Sequence, residues 1–380
     1  MSHFISEDQA AYLAAAEVFA RKELEPLANQ IDRDEHTPEA LTKAFAEQGF
    51  FGMFIPEAYG GLDAGLTATC LVIEAIAKAS PAFAGLVSVQ MILCPEVVKT
   101  LGTEAQKQRL LPPSATGERL MAYSQTEPVG AINKAFHQTK LTADGNGYLL
   151  NGAKLFCTQG EAKTYLVMGK TERDGEQGYG CFIVEGEAEG FAVSPYEDKL
   201  GWRGTNTGPI AFTDVRLGGE DILGDLLTGQ SQFFMTASQA SFMGHSASSL
   251  GCAVGMFEKT LEYVKERSLY GAPMHKLSPI SDRLAMIWHK IEAMRALLYT
   301  STRLYDEGRR DLFLGNSCKA WICETSFECC NQLLQMWGGS GMMDSTGVNR
   351  YFRDARTNLI AEAATEVHNS IVAQQVLGLV

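Results

Sequence analysis

The chain has 380 residues, 46% hydrophobic and 20% charged, the balance of a folded globular protein rather than a disordered one, and its length points to two or three domains. Its 45 acidic and 32 basic residues leave a net charge of -13, which works against a nucleic-acid partner because neutralising phosphates needs clustered Lys and Arg. No apolar run reaches the roughly 18 residues of a membrane span, and the start Met1-Ser2-His3-Phe4 has no basic segment before an apolar one, so no membrane role and a cytoplasmic location are expected.

From Ser6 to about Gly117 the pattern is helical. Ser6 and Gln9 have capping-box spacing, and Tyr12, Leu13, Ala16, Phe19, Ala20, Leu24, Leu27 and Ile31 approximate one apolar stripe that Pro26 should bend or interrupt. Helices are predicted over Pro38–Gln48, Leu66–Ala79 and Pro95–Leu101, with a turn-rich break at Ile55–Gly61. Between Leu120 and Asp225 the pattern shifts to short β-branched or alternating runs: Tyr148–Leu150, Lys154–Thr158, Tyr165–Met168, Cys181–Val184 and Pro209–Phe212. Helical periodicity returns after Gly229, with long stretches over Gln232–Arg267, Pro279–Glu307 and Asp311–Trp337 suited to an antiparallel bundle. The predicted fold is α+β and multidomain: an N-terminal helical domain over residues 1–119, a sandwich or barrel-like β domain over 120–228, and a C-terminal four-helix bundle over 229–380.

Nine cysteines, without paired metal spacing, read as buried reduced thiols, and seven scattered histidines give no His-x-x-x-His pair, so no metal is expected. Neither a Gly-x-Gly-x-x-Gly turn between strand and helix nor a Gly-Lys-Ser/Thr phosphate loop is present, which disfavours a nicotinamide dehydrogenase or an NTPase.

The stretch Arg353–Val367 places Glu362 among Ile360, Ala361, Ala363 and Ala364. A carboxylate crowded by apolar groups loses hydration, which raises its pKa and makes it a better acceptor of a carbon-bound proton. These residues alone favour Glu362 and Glu366 as two solvated helix acids one turn apart, a reading that the rest of the chain overturns.

The domain order and several motifs resemble the acyl-CoA dehydrogenase family of flavoproteins over essentially the whole chain. Gly49–Glu57 with Tyr59-Gly60-Gly61, and Leu101–Gln108, are similar to its first-domain elements. Tyr123–Pro128, Asn151–Thr158, Leu200–Thr205 and Phe212–Val215 resemble strands of its middle domain. Glu266–Gly271 looks like its Glu-Arg-x-x-Phe-Gly element, Gln335–Gly341 like Gln-x-x-Gly-Gly-x-Gly, and Arg353-Asp354-Ala355 precedes its catalytic segment.

The resemblance implies FAD, an acyl-CoA or acyl-carrier thioester substrate, and α,β-dehydrogenation to a 2-enoyl thioester. Glu362 falls on the base position. A separate electron-transfer flavoprotein takes the electrons, and a place in fatty acid metabolism follows. Tyr123, Gln125, Thr126, Phe156 and Thr158 fall on positions facing the flavin ring. Arg267, Gln335 and Gly339 fall on positions that reach the flavin of a neighbouring subunit, implying a homodimer or homotetramer.

The chain departs from the family at functional positions. Ala361-Glu362-Ala363-Ala364 replaces Tyr-Glu-Gly-Thr, Val129–Asn133 replaces Gly-x-Gly-Ser-Asp, Phe242 stands where Arg is common, and Leu277-Ser278 replaces Phe-Gln. Ser241 occupies the position of the base in relatives that carry it on a bundle helix, and serine cannot serve unaided; Glu366 is the outside candidate. The altered pocket keeps open a flavin oxidase or monooxygenase, and the lost polar positions a non-catalytic family member.

Overall fold

The computed structural model describes residues 5–130, 133–158, 162–236 and 238–379. Ala131 and Ile132 of the altered Val129–Asn133 segment, residues 1–4 of the N-terminal reading, and Ala237 lie outside the described residues.

Helix α1 (Glu7–Phe19) begins with the expected capping box: the Ser6 hydroxyl accepts the Gln9 N–H at 3.2 Å and the Gln9 side chain accepts the Ser6 N–H at 3.0 Å. At Pro26 the helix gives way to a π turn (Ala20–Leu24) and a 3-10 turn (Glu25–Leu27), then resumes as α2 (Ala28–Asp34). Next come α3 (Glu39–Glu47), α4 (Gly65–Ala79), α5 (Pro81–Ser88), α6 (Cys94–Leu101) and α7 (Glu104–Ala115).

The segment Pro81–Leu101 corrects two expectations. Helix α5, a π turn over Val89–Leu93 and α6 join into one 21-residue helix whose most apolar 18-residue window has a mean hydropathy of 1.6, long and apolar enough by composition to cross a membrane. Ser88, Gln90, Pro95 and Glu96 punctuate the run and hid it from a reading by apolar blocks. Its most apolar window is wholly buried inside the protein, where it serves as a core helix.

The β domain comprises β1 (Met121–Ser124), β2 (Lys140–Asp144), β3 (Gly147–Thr158), β4 (Thr164–Arg173), β5 (Glu176–Glu185), β6 (Phe191–Val193), β7 (Thr207–Leu217) and β8 (Ile222–Leu223). They form a mixed sheet in the order β6-β7-β3-β2-β4-β5-β8, with β1 parallel to β4. Tyr148–Leu150 and Lys154–Thr158 prove to be one strand, β3, whose register against β7 slips between Leu150 and Gly152 and again between Lys154 and Cys157. Strands β2 and β4 meet through a single pair, Lys140 with Lys170, yet Leu141 and Leu150 on one side of that seam share a core with Tyr165, Val167, Phe182 and Val184 on the other.

The opposite faces of β4 and β5, carrying Leu166, Met168, Cys181 and Ile183, pack on Val97, Val98, Leu110 and Leu111 of α6 and α7. Burial of both faces explains why these strands read as continuous apolar runs rather than alternating ones.

The C-terminal part holds α8 (Gly229–Thr236), α9 (Ser238–Glu266), a two-residue hairpin β9 (Ser268–Leu269) and β10 (Ala272–Pro273), α10 (Ser278–Asp306), α11 (Leu312–Ser317), a π turn (Cys318–Ile322), α12 (Cys323–Trp337), α13 (Asn349–Asn358) and α14 (Thr365–Val376). Gly251 and Gly255 of α9 let it close on α4: a Cβ on either would lie 2.3 Å from the Glu74 carbonyl oxygen or 2.2 Å from that of Lys78. One core therefore runs through both helical regions. All nine cysteines are buried and unbridged, as expected.

All three regions meet at the middle of α13. The Arg353 guanidinium pairs with Asp32 of α2 and donates to the Leu200 carbonyl at 3.1 Å, while Asp354 accepts the Trp202 N–H at 2.6 Å. This junction fixes the chain eight residues before Glu362.

Candidate active site

Glu362 lies in the turn joining α13 to α14, outside any helix, which removes the reading of it as a solvated helix acid. Glu366 is in the first turn of α14 and exposed, so it drops out as a candidate base. The Glu362 residue as a whole is half-buried, but its carboxyl is withdrawn from water: Oε1 accepts a hydrogen bond from the Ser241 hydroxyl at 2.7 Å, and Oε2 is solvent-inaccessible with no partner among the described residues. Burial pushes the carboxyl up to about 7, against the opposing pull of the Ser241 hydroxyl and the Lys319 ammonium. Ser241 is thus a hydrogen-bond donor to the Glu362 carboxyl.

Around the carboxyl stand residues that the sequence reading missed. Lys319 is fully buried, and it gives its ammonium to the carbonyls of Asn358 at 2.9 Å and Ala363 at 3.4 Å. It projects from the π turn Cys318–Ile322, an irregularity that re-aims side chains and recurs at functional sites. His245 of α9 reaches the same Asn358 carbonyl at 3.1 Å, and His368 of α14 reaches the Glu362 carbonyl at 3.0 Å. Phe242, at the position where Arg was expected, packs its ring edge-on against His368 at 4.7 Å. No local pattern marks a lone Lys or His as meeting Glu362, whether it lies 43 positions away as Lys319 does or six as His368 does.

The strand residues assigned to the flavin ring occur together at one end of β1 and β3. The Tyr123 hydroxyl donates to Gln125 Oε1 at 2.8 Å, and the Thr126 carbonyl accepts the Leu155 N–H at 2.9 Å, tying the two segments. Phe156 sits in the second β3 irregularity at φ 55° and is 61% exposed. Thr158 closes the strand opposite Thr207. A large aromatic ring held outward by a left-handed backbone, beside hydroxyl and amide groups, fits a flat heteroaromatic cofactor laid against it.

Arg267, Gln335 and Gly339 gather elsewhere, at one end of the bundle. The Trp337 ring stacks on Tyr263 at 4.0 Å and its indole N–H donates to Thr260 at 2.9 Å, which joins the end of α12 to that of α9. All three residues are exposed, and a Cβ added at Gly339 would touch nothing in this chain. Within one chain, no hydrogen bond among the described residues joins them to the strand set.

Three family models match in this same order: the acyl-CoA dehydrogenase N-terminal domain over residues 6–118, the middle domain over 122–215 and the C-terminal domain over 233–377. The chain belongs to the acyl-CoA dehydrogenase family. Members are FAD flavoproteins that oxidise CH–CH bonds of acyl-CoA thioesters, and the chain is an oxidoreductase of that kind.

It is 30% identical over 379 residues to the 3-(aryl)acrylate reductase of Clostridium sporogenes (strain ATCC 15579), covering 98% of this chain and 100% of that protein. The butyryl-CoA dehydrogenase of Megasphaera elsdenii superposes with a TM-score of 0.94 at 29% identity, covering 98% of this chain and 99% of that one. A chain from a structure of the electron transferring flavoprotein of Acidaminococcus fermentans superposes at 0.93 and 29% identity, with 98% of each chain covered.

Proposed function

We propose that Glu362 is the base that takes the α-proton of an acyl thioester in this dehydrogenase. The observation that carries this reading is the carboxyl itself: one oxygen is fixed by Ser241 and the other is buried and unpartnered, in a group poised at about 7. A carboxylate with one bare, dehydrated oxygen has its proton affinity directed to one place. No acceptor among the described residues takes the Glu362 main-chain N–H, which leaves that donor available to a thioester carbonyl. FAD, when bound, supplies the acceptor for the β-hydrogen, a task no side chain can perform. Tyr123, Gln125, Thr126, Phe156 and Thr158 would hold its ring, while Arg267 would hold the diphosphate, and Gln335 and Gly339 would touch the FAD, of a neighbouring copy.

The exposed cluster at Arg267, Gln335 and Gly339 supports assembly as a homodimer or homotetramer. An electron-transferring flavoprotein fits the role of electron acceptor, given the Acidaminococcus relative, and a cytoplasmic place in fatty acid metabolism completes the reading.

The test is Glu362→Gln. The purified variant should keep its FAD yet lose bleaching of the flavin by an acyl-CoA substrate; rapid bleaching would remove Glu362 from the role. A second reading has the chain run toward reduction, favoured by the relative named 3-(aryl)acrylate reductase. A group near 7 can return a proton as readily as take one, so incubating the reduced protein with an enoyl thioester, and separately with a free acrylate, decides the direction.

A further inference from the structure

The turn carrying Glu362 is strained and held by few groups. Glu362 and Ala363 both occupy the left-handed region, at φ 56° and 78°, where a residue with a Cβ is disfavoured by about 1–2 kcal/mol. Something must hold two such residues in succession. The Glu362 carbonyl has a single partner among the described residues, Nε2 of His368 at 3.0 Å. His368 is itself buried and fixed from two other helices: Nδ1 lies 2.7 Å from Oδ1 of Asn316 in α11, whose amide nitrogen donates to the Leu312 carbonyl at 2.6 Å, and the Phe242 ring of α9 stands edge-on at an interplanar angle of 84°.

We propose that His368 is a positioning residue for the base, its ring bridging Asn316 Oδ1 and the Glu362 carbonyl and so holding the left-handed turn that aims the carboxyl at the reaction site. This rests on Glu362 being the base. Ser241 fixes one end of residue 362 and His368 the other: with Oε1 and the main-chain oxygen both held, the intervening bonds have little freedom left. Relaxing φ at Glu362 toward the ordinary helical region would turn the side chain away from Ser241 and admit water. Both ring nitrogens face oxygens, so the one proton of a neutral ring serves the Glu362 carbonyl or Asn316 Oδ1 but not both at once; burial, with the Lys319 cation adding to it, pushes His368 down to about 4.

The test compares two variants that both fill the site, His368→Gln, which keeps a donor, and His368→Leu, which packs against Phe242 without one. Two readouts apply to the full-length protein. The first is the infrared titration of the Glu362 carboxyl, assigned by its loss in Glu362→Gln and measurable without turnover. The second is the single-turnover rate of flavin bleaching by butyryl-CoA in the FAD-loaded protein, alongside the dissociation constant for that thioester.

In His368→Leu the titration midpoint should fall by at least ~1 unit and bleaching should slow by ~10- to 100-fold with binding nearly unchanged, the cost of a small misplacement of a reacting group. His368→Gln should stay close to the wild type in both. Equal midpoints or equal bleaching rates in the two variants would overturn the proposal. Bleaching retained in Glu362→Gln is a different result, and it overturns the base assignment itself.

Discussion

Glu127 and Glu362 are both withdrawn from water, and they end with opposite proton affinities. Burial pushes the Glu127 carboxyl upward, but the Lys154 ammonium at 2.8 Å and the N–H groups of Gln138 and Thr139 outweigh it and hold the group below the ordinary carboxylate range. Among the described residues Glu362 has one hydroxyl for a partner and no cation in direct contact; Lys319 gives its protons to carbonyls instead. Dehydration alone therefore does not make a base. The β domain surrounds its glutamate with donors and uses it to tie the segment after β1 to β3 and to the segment before β2, whereas the bundle withholds donors and leaves a proton acceptor.

The largest effect follows from removing the acceptor. Glu362→Gln should slow flavin bleaching by ~10³- to 10⁴-fold, the upper range for losing a general base, while the visible spectrum of bound FAD persists. The converse operation on the other glutamate should cost stability. Lys154→Met leaves Glu127 buried without its cation, and unfolding by denaturant should show a loss of about 3–5 kcal/mol. The double variant Glu127→Gln with Lys154→Met should regain part of that loss, because no lone charge is left behind. Unfolding midpoints that match the wild type in Lys154→Met would mean that the backbone N–H groups alone suffice for Glu127.

A third effect separates the two glutamates by pH. Folded Glu362 takes up its proton near 7, against an ordinary 4.5, so between these values the native state binds more protons than the unfolded chain. Stability from this group is therefore lost as pH rises through that window, reaching a penalty of about 3 kcal/mol above pH 7. Glu362→Gln lacks the penalty, and its advantage in denaturant unfolding should be absent near pH 4 and grow toward pH 8. For Glu127, held low in the fold, the sign is reversed: its contribution is present at neutral pH and is lost on acidification through the carboxylate range. A constant gap between wild type and Glu362→Gln across pH 4 to 8 would contradict the dry environment assigned to the carboxyl.

Much of this was legible in the sequence because the signals were local. The capping box at Ser6, the break at Pro26 and the apolar strands of the β domain depend on neighbours a few residues apart, and Glu362 stands in a motif whose order along the chain is informative. Its helical setting was misread because Ala-rich sequence favours helix, while the turn is set by carbonyl contacts from Lys319 and His368. Those partners were invisible for the same reason: Lys319 is 43 positions from Glu362 and owes its aim to a π turn, which leaves no mark in apolar periodicity. Ser241 was noticed only as an absent base, since its hydroxyl acquires a role from a residue 121 positions away. The Pro81–Leu101 helix was cut short because scattered polar residues mask apolar character when the whole segment is buried.

The smallest predicted effect concerns strain rather than charge. The sequence comparison expected the Ala363 substitution to remove a flexible glycine, yet the backbone still takes the left-handed geometry that glycine adopts freely, at φ 78°. Ala363→Gly should therefore stabilise the fold by about 1 kcal/mol through relief of the Cβ clash, partly offset by the greater freedom of glycine in the unfolded chain. The Lys319 contact to the residue 363 carbonyl survives the change, since it involves main chain only. A higher unfolding midpoint with little change in bleaching rate would show that the turn is held by His368 and Lys319 and that Ala363 is a tolerated strain. A lower midpoint would place the rigidity of the turn in Ala363 itself, and the contrast with Glu127 would then rest on backbone stiffness as well as on withheld donors.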